Sequence, residues 1–134
     1  MRVLIAIVLS MSLVGCATMQ IDSSVSRFRS EAAKVNLGDK KEDVLAVLLP
    51  TQKDLPSNAA KSAESFMKDK DIVEIYYFRS GRQPDGLTTD DEFTPYIFTN
   101  GVLTGIGWTV LGGTKSQGQV IQPPAQIHQT TIVN

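Results

Sequence analysis

Apolar and polar positions divide this 134-residue chain into stretches of unlike rhythm. Residues 3–14 are apolar apart from two serines. In SSVSRFRSEAAKV, Val25, Phe28, Ala32 and Val35 recur at helical spacing, which predicts a helix capped by Asp22 or Ser23. Arg27, Arg29, Glu31 and Lys34 occupy its wet face, and Gly38 is placed to end it in the left-handed conformation. A second helix is predicted in DKKEDVLAVLLP. Asp39 with Glu42 gives a capping-box spacing, Val44, Leu45, Val47, Leu48 and Leu49 form the apolar face, and Pro50 stops the run.

Residues 51–71 carry a mixed signal. A helix over 57–68, capped by Ser57 or Asn58, is preferred, with SAESFM as an edge strand the alternative. DIVEIYYFRS is a strand by its β-branched and aromatic content, with Val73, Ile75 and Tyr77 on one face and Ile72, Tyr76 and Phe78 on the other. A long polar loop precedes the hairpin FTPYIFTNGVLTGIGWTVL, whose Asn100-Gly101 turn requires positive φ at both residues. That turn sets a register of Thr99 with Val102, Phe98 with Leu103, Ile97 with Thr104, Tyr96 with Gly105 and Pro95 with Ile106. Phe93 then meets Trp108 and Thr94 meets Gly107. Pro95 has no donor, so its strand is an edge there or bulged. Two helices followed by three strands make an α+β domain over residues 23–112. Residues 113–134 are expected to be a flexible Gly/Gln/Pro-rich tail, whose strand-like end QIHQTTIVN could add to a sheet edge.

The apolar run follows a single positive charge, Arg2, in the manner of an export signal. It is shorter than the roughly 20 residues that span a bilayer. Leu13-Val14-Gly15-Cys16 resembles the lipobox of bacterial lipoproteins. The resemblance implies a signal peptide over 1–15, lipid attachment at Cys16 and a lipidated spacer over 16–22. The competing reading is a plain secretory signal with an incidental cysteine, but Cys16 has no second cysteine to pair with. Ala17 rather than Asp follows it, which by the sorting habit of enterobacterial lipoproteins implies the outer membrane, facing the periplasm. Loss of Arg2 takes the basic residues from 13 to 12 against 14 acidic ones, a balance without broad attraction for nucleic acid or anionic lipid.

The lipobox, LGDKKEDVLAVL, VEIYYF and PYIFTNGVLTGIGW occur in an order that resembles the small outer-membrane lipoproteins of the SmpA/OmlA type. That group includes the E component of the β-barrel assembly machinery. Gly38, Val44, Phe98, Gly101 and Leu103 match its positions, while Asp39-Lys40 replaces its Met-Thr pair. TPYIFTNGVLTGIGW is also similar to a related set of bacterial lipoproteins of unknown function. The resemblance covers residues 36–111 and implies two N-terminal helices packed on one face of a small three-stranded antiparallel sheet.

Candidate chemistry changes this picture little. His128 is the single histidine and lies in the tail, and Cys16 is committed to lipid, so neither a His-based triad nor a thiol nucleophile can be assembled. Asp85, Asp90, Asp91 and Glu92 could hold calcium, but their spacing is not that of an EF-hand. A solvated loop paired loosely with Arg79 and Arg82 accounts for them better. The expected protein is therefore non-enzymatic, without cofactor or metal. It is membrane-bound through its lipid and contacts an envelope protein through Arg79, Arg82 and Trp108, with a place in the core the favoured alternative for Trp108. The alternative is a small-ligand or cell-wall-binding module using the aromatic sheet face.

Overall fold

The computed structural model describes residues 2–114, with side chains from Gly15 onward. The fold is α+β, with two helices on an antiparallel sheet of four strands in sequential order. The first helix, α1, spans Arg2–Ala32 and the second, α2, spans Lys41–Leu48. The strands are β1 (Glu64–Lys68), β2 (Asp71–Arg79), β3 (Phe93–Thr99) and β4 (Val102–Ile106). The tail reading for 115–134, including its strand-like end and His128, lies outside the described residues.

Two expectations about the helices are corrected. Residues 16–22 are helical, so α1 has no N-terminus at Asp22 or Ser23. Asp39 does not cap α2. Lys40 holds the N-cap position without a side-chain bond, and the Asp39 carboxylate accepts the Asn36 N–H at 2.7 Å, folding back on its own turn.

The helices cover one face of the sheet. Phe28, Val35, Val44 and Leu48 pack with Phe78, Tyr96, Phe98 and Leu103 in the main core. The Phe78 and Tyr96 rings meet edge to face at 5.2 Å and Tyr76 meets Phe98 likewise at 5.7 Å, the geometry that aromatic quadrupoles favour. Lys41 at the start of α2 reaches Glu74 on β2 at 2.8 Å, and this bond raises the lysine pKa. On the other face Val73, Ile75 and Ile97 form a smaller core, backed by Tyr77 and by Leu111 from the last turn.

The sheet departs from the predicted three strands because Glu64–Lys68 pairs with β2 through the two-residue turn Asp69-Lys70. Of residues 57–68, only Ser57–Ala59 is helical, as a single 3₁₀ turn. Asp69 takes the left-handed conformation the turn needs, at φ 56°. The other hairpin follows expectation at its tip, with φ 50° at Asn100 and 78° at Gly101. Its register holds as predicted for Thr99–Val102 and Phe98–Leu103, then slips by one residue. Ile97 faces Gly105 and Tyr96 faces Ile106, with Thr104 the unpaired residue of a bulge. Its hydroxyl bonds the Ile97 carbonyl and the Thr99 hydroxyl. Pro95 sits in an internal strand and pairs with Tyr77 on β2, which corrects its placing at an edge. Its carbonyl accepts the Gly107 N–H at 2.8 Å just past the end of β4, and the donor it lacks would point to the same side.

Asn100 does more than tolerate its backbone. Its side-chain oxygen accepts the Ile72 N–H at 3.0 Å and its amide donates to Asp71 at 2.8 Å, joining one hairpin tip to the start of the neighbouring strand. Asn100→Ala loses both bonds and the tolerance for positive φ. A loss of about 1–2 kcal/mol is expected in urea unfolding, from an unsatisfied backbone donor plus left-handed strain. An unchanged midpoint would show the link to be idle.

Candidate functional site

The three residues expected to meet a partner are not equivalent. Arg79 is 1 % exposed and cannot be a surface contact, which corrects that expectation. Its guanidinium pairs with Glu92 at 3.0 Å, and both side chains are almost fully enclosed. The remaining donors are used as well. One reaches the Ala59 carbonyl at 2.9 Å and the Thr88 hydroxyl at 3.3 Å, and Nε reaches the Gly81 carbonyl at 3.2 Å. Glu92 accepts the Gln83 N–H at 2.7 Å and the Thr89 N–H at 2.9 Å. A burial that strips water from both ions is tolerable only with this degree of satisfaction. The pair is a clasp that shapes the loop between β2 and β3.

The acidic group is therefore not a loosely paired solvated loop. Glu92 and Asp90 are both buried, the first in the clasp and the second bonded to Lys61 at 2.7 Å. Thr89-Asp90-Asp91-Glu92 closes a reciprocal capping box on the 3₁₀ turn Asp90–Glu92, a Thr-x-x-Glu spacing visible in the sequence and missed there. Among the described residues, no group of three or more His, Cys, Asp or Glu side chains could hold a metal ion.

Arg82 lies on that loop and forms a two-pronged pair with Asp22 of α1, at 2.7 and 3.2 Å. The hydrogen bond from Arg82 holds the Asp22 carboxyl below its ordinary pKa against a slight opposing effect of burial. The folded-state pKa is depressed, so this pair stabilises the fold above the unfolded carboxyl pKa of about 3.9 and is lost as pH falls through the folded value. Melting curves below pH 5 are expected to show this loss in the wild type and not in Asp22→Asn. Matching acid profiles would refute the link. The effect is small, since both groups are solvated.

Trp108 is half-buried at the start of the 3₁₀ turn Trp108–Leu111. Its indole N–H donates to the Phe93 carbonyl at 2.8 Å, and its ring stacks on Tyr77 with centroids 5.6 Å apart. Lys61, from the segment before β1, places its ammonium 4.7 Å from the Tyr77 ring and 5.9 Å from the Trp108 ring. The Tyr77 hydroxyl bonds Glu64 at 3.0 Å. Burial first and that bond second raise the phenol pKa, so the group is a hydrogen-bond donor rather than a base at neutral pH. Lys61, Tyr77 and Trp108 thus make a fixed aromatic and cationic platform on the face opposite the helices. Sequence reasoning reached Trp108 but not Lys61 or Tyr77, because the position of β1 brings Lys61 over the rings. A separate groove of ≈ 470 Å³ lies between α1 and α2, lined in part by Arg27, Glu31, Thr51 and Lys53.

Gly38, Val44, Phe98, Gly101 and Leu103, the positions on which the sequence was expected to follow the SmpA/OmlA type, meet at one junction. The Gly38 N–H bonds the Leu103 carbonyl at 2.8 Å and the Lys41 N–H bonds the Gly101 carbonyl at 2.9 Å. Val44, Phe98 and Leu103 are buried beside them. These residues seat a helix on a hairpin and offer no reacting group.

Residues 5–112 match the model of a family described as a protein of unknown function, DUF3192. The chain belongs to that family, and the matched span takes in Cys16, all but the first three residues of α1, the whole of α2 and all four strands. No curated protein matches the chain. No solved structure matches it either.

Proposed function

We propose that this protein is a lipid-anchored lipoprotein of the outer membrane that faces the periplasm and works without catalysis, by binding another envelope protein. The observation that carries the reading is Cys16. It is the single cysteine, it closes the Leu13-Val14-Gly15 run, and it is exposed on α1. No described helix is long and apolar enough to cross a membrane. Two or more acyl chains on one residue supply the affinity that a single chain lacks. The first buried residues, Ser24 and Val25, lie on the same helix, the nearer about 12 Å along its axis at about 1.5 Å per residue. The domain in this reading stands close to the bilayer on a rigid connection.

The Lys61–Tyr77–Trp108 platform is the contact surface in this proposal, since rigid aromatic rings and a cation lose little entropy on binding. A small-ligand or cell-wall-binding module remains the second reading, because a stacked Tyr–Trp pair also suits a sugar ring. Labelling of cells with a palmitate analogue, followed by fractionation, tests the anchor. Label on the wild type in the outer membrane, with unlabelled Cys16→Ser released to the soluble fraction, is expected. An unlabelled wild type would overturn it. A crosslinker beside Trp108 that captures one envelope protein, and loses it in Trp108→Ala, supports the first reading. Retention on purified cell wall that is lost in Trp108→Ala supports the second.

A further inference from the structure

The two edges of the sheet are treated differently. The outer side of β4 is stitched to the segment between the helices. The Gly38 N–H bonds Leu103, the Leu103 N–H bonds the Asp39 carbonyl at 2.9 Å, and Lys40 bridges Val102. The outer side of β1 has no such cover among the described residues, and all five of its residues are exposed. Two are large and apolar, Phe66 at 45 % and Met67 at 69 % exposure. β1 carries no proline, and its pairing with β2 runs without a bulge. The usual means of blunting an edge are therefore missing except for charge, and the charges, Glu64 and Lys68, stand only at its two ends.

We infer that β1 is a self-association strand, through which two copies pair antiparallel about a two-fold axis at Phe66 and fuse their sheets into one of twice the width. The inference does not depend on the lipid anchor. Its first support is the main chain. The two-residue turn makes Lys68–Asp71 a hydrogen-bonded pair, so by antiparallel alternation Glu64, Phe66 and Lys68 bond β2 while Ser65 and Met67 point their N–H and C=O groups outwards. Centring on Phe66 sets Ser65 of one copy against Met67 of the other, and each such pair can exchange both bonds.

The second support is charge. The same register places Glu64 opposite Lys68 at both ends of the contact, whereas a two-residue slip in either direction loses both of these ion pairs and moves Phe66 off the two-fold axis. The third is packing. Phe66 meets Phe66 across a non-hydrogen-bonded pair, where side chains come closest and aromatic pairs stabilise. A strand that is complementary to itself in all three respects specifies a second copy rather than a foreign peptide, in the isologous form that two-fold interfaces take. The contact is one short strand, smaller than the roughly 800 Å² per partner of a standard interface, so the dimer is reversible.

The test uses the full chain in native membranes and in mild detergent. Cysteine is placed singly at Phe66, Ser65 and Met67, and the membranes are treated with a mild oxidant. The unsubstituted chain, which carries Cys16 alone, is the control. A Cα separation of about 4.5 Å in a non-hydrogen-bonded pair permits a disulfide. Phe66→Cys is expected to give a covalent dimer well above the control, Ser65→Cys and Met67→Cys. Adding Ser65→Pro to Phe66→Cys removes one outward donor without touching the β1–β2 ladder, and the covalent dimer should be lost. In detergent, sedimentation of the wild type is expected to approach the mass of two chains as concentration rises, while Ser65→Pro, with an unchanged far-ultraviolet spectrum, stays at one. Equal crosslinking at the three positions overturns the inference. So does a dimer that survives Ser65→Pro, or a wild type that remains a single chain throughout.

Discussion

Glu92→Ala is expected to destabilise the protein by about 3–5 kcal/mol, because it strands the Arg79 guanidinium in the interior. Arg79 is 1 % exposed, and no water-facing position is open to it without breaking its bonds to Ala59, Gly81 and Thr88. The same substitution deprives the Gln83 and Thr89 N–H groups of their acceptor, so the loop before β3 loses its clasp and its capping box together. Urea unfolding of Glu92→Ala, Arg79→Met and the double variant Arg79→Met/Glu92→Leu checks this. The double variant, which removes both charges and refills the space, is expected to recover much of the loss. If each single variant costs no more than the double, the burial of an unpaired ion is not what the clasp prevents.

Phe98→Ala is the second large effect, again about 3–5 kcal/mol, from lost transfer energy and an unfilled cavity. Phe98 is 0 % exposed, pairs with Leu103, and takes the edge of Tyr76 at 5.7 Å. Its neighbours come from β2, β3, β4 and the helices, so no single element can collapse into the void. Phe66→Ala removes the same atoms from a ring that is 45 % exposed, and should change the unfolding energy far less. Comparable losses at both positions would contradict the burial described for Phe98.

The sequence shows which parts of this design are local. Asn100-Gly101 specifies its hairpin, since two consecutive residues at positive φ admit few other pairs. The apolar spacing of Val25, Phe28 and Ala32 marks the core-facing stripe of α1, while Val35, expected on the same helix, reaches the core from just beyond its end at Ala32. Its length was not legible, because the apolar run before Cys16 and the amphipathic run after it read as separate segments while the backbone runs on as one helix. β1 was weakly legible for a different reason. All five residues are exposed, so no alternation of buried and open positions distinguishes strand from helix, and pairing with β2 decides the matter. The slip after Phe98 is equally non-local, arising where Thr104 bulges out and Val110 from the last turn comes down over Gly105.

The candidate site shows the same division. Trp108 stands out in any sequence, but its partners come from three other segments: Tyr77 on β2, Lys61 before β1 and the Phe93 carbonyl at the start of β3. Arg79 was misjudged as exposed because a polar loop follows it in the chain, while the groups that enclose it lie at Gln52, Ala59 and Glu92.

The stitching of residues 38–41 to β4 also bears on the order in which the molecule can be completed. The helices are synthesised first, yet the strand that holds their connection in place spans Val102–Ile106, close to the end of the described chain. Contacts of such long sequence separation are slow to form and cannot begin before the last hairpin is available. A ribosome-bound chain therefore carries the connection between the helices without the strand that seats it. The fold closes in one late step, when the final hairpin arrives.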